Sequence, residues 1–341
     1  MGEEKAAGKI IFTILLNARF RAKSPAGGAA RNHGAYFRAH AASAILSPSF
    51  LLHSRDAHAS PMPEGNRLLS AIDDLALQCA AAGPGRLEKI QQFPSKFLTK
   101  KRDVIVYLPG IYDKRPDMRF PVLYLEDGQN LFDPNTSFIH GMYWHIGETA
   151  DRAIANAIVA PVIIVGIYNT DKRMNEYTPT RDKKLGGGRA DKYGRMLVTE
   201  LKPFIEKKYR TLSGPQHTGL GGSSLGGLLT VYLGIKYQQF FGKLAVLSPS
   251  VWWNQRAILD FVAQSRIKSR ARIWLDVGTK EDAHTVANVT ALHDLLVRLG
   301  WRDGTDLHFQ IFQGAQHNED AWAQRVEPFL QYLFPPAESA L

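Results

Sequence analysis

The stretch Gly219-Leu220-Gly221-Gly222-Ser223-Ser224-Leu225-Gly226-Gly227 constrains this chain most, because it turns a strand into a helix with a serine at the corner. Gln216 to Gly221 reads as extended, while Leu228, Leu229, Tyr232, Leu233 and Ile235 recur at helical spacing. Between them, Gly222-X-Ser224-X-Gly226 fits G-x-S-x-G, a turn in which glycines let the backbone pass closely and the serine is held strained. Such a corner pushes the hydroxyl out at the carboxyl edge of a sheet. The following helix aims its N-terminal N–H groups at the same place, where an anion would form if the hydroxyl attacked. A tight packing turn is the bland reading. A phosphate cradle fits less well, since no Gly-Lys-Ser/Thr follows and Gly-x-Gly-x-x-Gly is met only loosely by Gly219, Gly221 and Ser224.

Around that corner the sequence alternates strands and helices. Arg86 to Phe93 and Lys101 to Leu108 read as an antiparallel pair. Phe120 to Glu126 is almost continuously apolar, as a strand buried on both faces should be, and ends in the turn Asp127-Gly128-Gln129-Asn130. A helix around Trp144 to Ala157, a strand at Val162 to Tyr168, a polar loop from Asn169 to Lys192 and a helix from Tyr193 to Tyr209 lead to the corner. Beyond it come a strand at Lys243 to Leu247, a loop at Ser248 to Trp253 and a strand at Arg272 to Val277. A helix at Ala287 to Leu299, a strand at Leu307 to Phe312 and a helix at Ala321 to Leu333 close the chain. This alternation predicts an α/β fold: a mainly parallel central sheet with helices on both faces and ligands outside the carboxyl ends of its strands.

Residues 86–334 are the expected catalytic domain. Residues 1–61, rich in Ala, Gly, Ser, His and Arg, read as a poorly ordered leader outside it, either disordered or a targeting segment. Ile10 to Leu16 behind Lys5 and Lys9, and Ala41 to Leu52 before Ala57-His58-Ala59, each resemble part of an export signal. Residues 62–85 suggest a helix from Leu68 to Ala82 and a Gly83-Pro84-Gly85 linker; 335–341 read as a tail. Localisation stays open between cytoplasm and export, and the single cysteine, Cys79, leaves the compartment unassigned. The oligomeric state is also left open.

A formal charge of +10 raises the question of a nucleic-acid partner. The excess is dispersed, with short clusters at Lys100-Lys101-Arg102 and Arg266 to Arg272, and no recognition motif accompanies it. A solvated face is the expectation, with no nucleic acid bound; a mild preference for anionic substrates is compatible with it. No apolar run is long enough to cross a bilayer, so no integral membrane association is expected.

Two later loops supply what a serine nucleophile needs. After Arg272 to Val277 comes Gly278-Thr279-Lys280-Glu281-Asp282, and after Leu307 to Phe312 comes Gly314-Ala315-Gln316-His317-Asn318. Ser, acid, His in that order, each at a strand's carboxyl end, is the arrangement of a hydrolytic triad. The hydroxyl is weakly nucleophilic, so an imidazole must take its proton, and a carboxylate on the other ring nitrogen must hold the tautomer. Glu281 is favoured over Asp282 as that acid, and Asp276 is a distant third. Backbone N–H groups of Leu225 and Gln129 are the expected oxyanion donors. Asp127 is expected to brace its own turn. With no H-E-x-x-H or clustered His/Asp spacing, neither a metal nor a cofactor is expected.

Several segments together, Leu123 to Asp133, Val165-Gly166-Ile167-Tyr168-Asn169, Arg173 with Glu176-Tyr177-Thr178-Pro179, the serine corner, Ser248-Pro249-Ser250-Val251-Trp252-Trp253 and Gly278-Thr279-Lys280-Glu281, resemble the "putative esterase" family of α/β-hydrolases. That group includes enterochelin, feruloyl and acetylxylan esterases, S-formylglutathione hydrolase and mycolyltransferases. The resemblance, over about Arg86 to Phe334, implies an α/β-hydrolase fold and a Ser224, Glu281, His317 triad. It places Arg173, Glu176, Trp252 and Trp253 along the cleft, and implies a small-molecule or carbohydrate-linked ester as substrate. Glu126 stands where the family often has another residue, such as His. Acyl transfer with the same machinery, and a non-catalytic carbohydrate- or siderophore-binding role on a hydrolase scaffold, are the alternatives.

Overall fold

The computed structural model describes residues 74–282 and 284–336. The leader 1–61, the front of the Leu68 to Ala82 helix and most of the tail lie outside the described residues; 74–82 is helical (α1). Eight strands form one sheet: β1 (Arg86–Phe93), β2 (Arg102–Leu108), β3 (Val122–Glu126), β4 (Ile163–Ile167), β5 (Thr218–Ser223), β6 (Lys243–Leu247), β7 (Arg272–Gly278) and β8 (Leu307–Phe312). Their order is β1-β2-β4-β3-β5-β6-β7-β8. β2 runs antiparallel to both β1 and β4, and every other pairing is parallel.

The apolar runs lie where two-sided burial demands them. All residues of β3, β4 and β5 are buried, and β5 can be glycine-rich there because its neighbours fill the space a side chain would take. Helices α5 (Leu225–Lys236), α6 (Trp253–Gln264) and α7 (Thr285–Arg298) pack as one group. Helices α2 (Ile146–Ala155) and α9 (Val326–Leu333) pack as another. α5 and α9 both lie on β6, so that strand is covered from its two sides. This is the mainly parallel sheet covered on both faces that the alternation predicts, and the α/β-hydrolase fold that the resemblance implied.

Three expectations are corrected. The segment read as a polar loop from Asn169 to Lys192 contains a short helix, α3 (Arg173–Tyr177), and a hairpin pairing Arg181–Asp182 with Gly186–Gly187. It also holds the start of α4, which runs from Ala190 through a π-helical turn at Leu197–Leu201 to Lys208. Helix α6 was not anticipated, although Ile258 and Val262 bury an i, i+4 pair; its first turn, Asn254 to Arg256, is left-handed. The closing helix is two: α8 (Glu319–Ala323) and α9.

Parallel pairing decides where chemistry can occur. The carboxyl ends of β3, β5, β6, β7 and β8 share one rim, and the loops that leave it carry every candidate catalytic residue.

Candidate active site

Ser224 sits at φ 59°, ψ −121°, a conformation costing about 1–3 kcal/mol in a non-glycine residue. The surroundings hold it there. Its N–H donates to the Leu247 carbonyl at 3.0 Å, and its own carbonyl accepts from the N–H groups of Leu228 and Ser250, both at 3.0 Å. A Cβ at Gly222 would lie 3.0 Å from the Gly226 carbonyl carbon and 2.7 Å from Oε2 of Glu126, so the corner closes only around a glycine. Leu225 is the first residue of α5, and its N–H has no acceptor within the helix. Gln129 occupies the single 3-10 turn Gly128–Asn130, whose first backbone bond is made by Asn130, so the Gln129 N–H is likewise outside the turn's own pattern.

The acid and imidazole meet. His317 Nδ1 stands 2.8 Å from Glu281 Oε2; a carboxylate only accepts, so Nδ1 carries a proton, and in the neutral ring the lone pair is on Nε2. The other oxygen, Oε1, accepts from the Ser248 hydroxyl at 2.6 Å and the Gly278 N–H at 2.7 Å. Burial pushes this carboxyl up, but the bonds from His317, Ser248 and Gly278 outweigh it and hold the group below the ordinary glutamate value. Asp282 is engaged elsewhere: it accepts from the His284 N–H at 2.8 Å and the Thr285 hydroxyl at 2.6 Å, bracing the entry to α7. Asp276 is wholly buried and paired with Arg325. The Ser224 hydroxyl has its contact with the Ser250 hydroxyl, at 3.4 Å, rather than with His317.

Asp127 does not brace its own turn through its side chain. Its carboxylate grips the Arg173 guanidinium at 2.8 and 2.7 Å and accepts from Asn169 Nδ2 at 2.6 Å, tying α3 to the end of β3. The left-handed Asp127 (φ 58°) also donates its N–H to the Tyr177 hydroxyl. Arg173 is therefore committed to a protein carboxylate. Glu176 is buried too, both oxygens accepting from Arg102 Nη2, at one side of a cavity of about 230 Å³ lined also by Phe97, Leu98, Lys172, Arg189 and Lys192. The tryptophan pair divides: Trp252 is 42% exposed, whereas Trp253 is 1% exposed and donates its indole N–H to the Thr180 carbonyl.

Glu126 lies directly under the corner. Burial raises its carboxyl well above the ordinary range, and Oε2 accepts from Thr230 at 3.3 Å. Glu319, which accepts from Asn130 Nδ2, is raised by burial as well. Ser248 and Arg325 were not singled out for a role in the sequence. Ser248 had a signal, since it follows a strand at the active rim, whereas Arg325 lies between two helices with nothing in its neighbourhood to mark it.

Residues 95–332 match the family described as "Putative esterase". Among relatives, the iron(III) salmochelin esterase of Escherichia coli is 30% identical over 241 residues, covering 65% of this chain and 52% of its own. The uncharacterized protein YbbA of Bacillus subtilis is 26% identical over 254 residues, 70% of this chain and 95% of its own. In three dimensions, an IroE-like serine hydrolase from Shewanella oneidensis superposes with a TM-score of 0.59 at 21% identity, covering 73% of this chain and 80% of that one. With a family match spanning most of its length, on the fold that family adopts, this chain belongs to the "Putative esterase" family of α/β-hydrolases, hydrolases of esters.

Proposed function

We propose that this chain hydrolyses carboxylic esters through an acyl intermediate on Ser224, with His317 as general base and then acid, and Glu281 as the carboxylate that orients it. The observation that carries this reading is the strained serine at a helix N-terminus on the rim that also holds the Glu281–His317 pair. The Ser224 hydroxyl rests only on a long contact to Ser250, so little is given up when it turns to Nε2 of His317 as an ester carbonyl arrives.

The Oγ attacks the carbonyl carbon as Nε2 takes its proton. The oxyanion is held by the N–H groups of Leu225 and Gln129, each worth about 3 kcal/mol in such a role. When the C–O bond breaks, Nε2 returns the proton to the departing alcohol. Water then repeats the sequence: it loses a proton to Nε2, attacks the acyl carbon and releases the acid, and Ser224 regains its proton. Glu281 stabilises the imidazolium at both stages without accepting its proton.

The relatives' names point to siderophore and feruloyl esters as the first substrates to try. The test is steady-state turnover of p-nitrophenyl acetate and of short-acyl, feruloyl, thioester and trilactone substrates, with fluorophosphonate labelling. Ser224→Ala should remove labelling and lower kcat by about 10⁶, with folding intact. Wild-type turnover by Ser224→Ala would overturn the reading.

A further inference from the structure

We propose that Ser248, clamped by Arg325 and Asp276, is a positioning residue that holds one Glu281 oxygen and so commits the other to His317. This rests on the serine-hydrolase reading above. Ser248 is wholly buried at φ 42°, a left-handed backbone held by its N–H donating to the Asp276 carbonyl at 3.0 Å. Its hydroxyl is a hub. It donates to Glu281 Oε1 at 2.6 Å and accepts from Arg325 Nη1 at 2.9 Å and from the indole N–H of Trp322 at 3.2 Å. With two donors arriving from the C-terminal helices, its one proton can only go to the glutamate.

Arg325 explains why the hub is needed. Its side chain and that of Asp276 are both 0% exposed, joined at 2.5 Å, and Glu281 beside them is 1% exposed. Nη2 of Arg325 lacks a hydrogen bond of its own and stands 3.7 Å from Glu281 Oε1. Two carboxylates thus share one guanidinium in this interior: burial pushes the Asp276 carboxyl up while Arg325 holds it, and Glu281, held below its ordinary value, faces His317. The imidazolium formed during attack then has the Glu281 carboxylate against its Nδ1. Ser248 links the halves and keeps Oε1 turned to the cation, leaving Oε2 for Nδ1.

The test compares wild type, Ser248→Ala and Ser248→Cys in p-nitrophenyl acetate turnover from about pH 5 to 9, with fluorophosphonate labelling and thermal melts. A positioning role predicts kcat lowered about 10- to 100-fold in Ser248→Ala, by analogy with the partners that orient metal-ligating side chains. KM should stay within about twofold, with Ser248→Cys intermediate. The acid limb of the kcat/KM profile should move to higher pH, because a carboxylate with one donor fewer draws more strongly on the imidazolium. The other groups near His317, namely Glu319 on α8 and, behind it, Asp127 with Arg173, are the same in all three proteins. A folded, labelled Ser248→Ala with wild-type kcat and an unmoved limb would overturn the inference while leaving the hydrolase reading intact. If Ser248→Ala does not fold, the same two outcomes are read from Ser248→Cys. Absence of Ser224 labelling in the wild type would overturn both.

Discussion

Replacing Glu281 by glutamine should cripple turnover through the tautomer of one imidazole while leaving the fold almost untouched. The two oxygens of Glu281 are not equivalent. Oε1 receives the Ser248 hydroxyl and the Gly278 N–H and faces Arg325, so three donors surround it; Oε2 faces only His317. In Glu281→Gln those donors select the amide oxygen for the Oε1 position and turn the amide NH₂ toward Nδ1. Nδ1 must then accept, the ring proton moves to Nε2, and Nε2 can no longer take the serine proton. Wrong-tautomer variants of this kind lose about 10³–10⁴ in kcat, or about 4–5.5 kcal/mol of transition-state stabilisation. Melting temperature should shift little, since the shape is kept. Asp282→Ala is the comparison: it removes the bonds to His284 and Thr285 and should cost about 1 kcal/mol of stability with kcat within about twofold. Steady-state kinetics on both variants decides the matter. A nearly active Glu281→Gln beside a crippled Asp282→Ala would refute the reasoning.

Three other outcomes are expected. Glu126→Gln should melt together with wild type near pH 4 and above it at pH 8. A carboxyl raised by burial contributes stability that is complete below the unfolded value and is lost as pH rises toward the folded one, about 1.4 kcal/mol per pH unit; superimposable melts at both pH values would contradict that. Glu176→Ala leaves Arg102, whose side chain is 1% exposed, without its partner, and should lower the urea-unfolding free energy by about 3–5 kcal/mol. A loss below about 1 kcal/mol would mean water reaches that guanidinium. Labelling of Ser224 by a fluorophosphonate should be abolished by Ser224→Ala and slowed in parallel with turnover by His317→Ala; unchanged labelling in His317→Ala would remove that residue from the base role.

Much of the fold was legible because its signals are local. β1 and β8 begin and end at the residues expected from the sequence, and the apolar run in β3 announced a strand covered on both sides. The 169–192 segment was misread because its polar residues satisfy partners far away in sequence: Asn169 and Arg173 serve Asp127, and Glu176 serves Arg102. The start of α6 was hidden by a left-handed turn that interrupts the helical stripe. Trp252 and Trp253, adjacent and identical in type, ended with opposite exposure, which composition cannot distinguish.

The sequence by itself determined the glycine-lined serine corner, the alternation that yields a mainly parallel sheet, and the rim from which Ser224, Glu281 and His317 project. Each follows from steric rules and periodicity acting over a few residues. Only the tertiary structure decided which carboxylate faces His317, that Asp127 grips Arg173, and that Ser248, Asp276 and Arg325 share one dry cluster under Glu281. A buried charge must find its partner wherever folding brings one, and no short-range pattern records that choice.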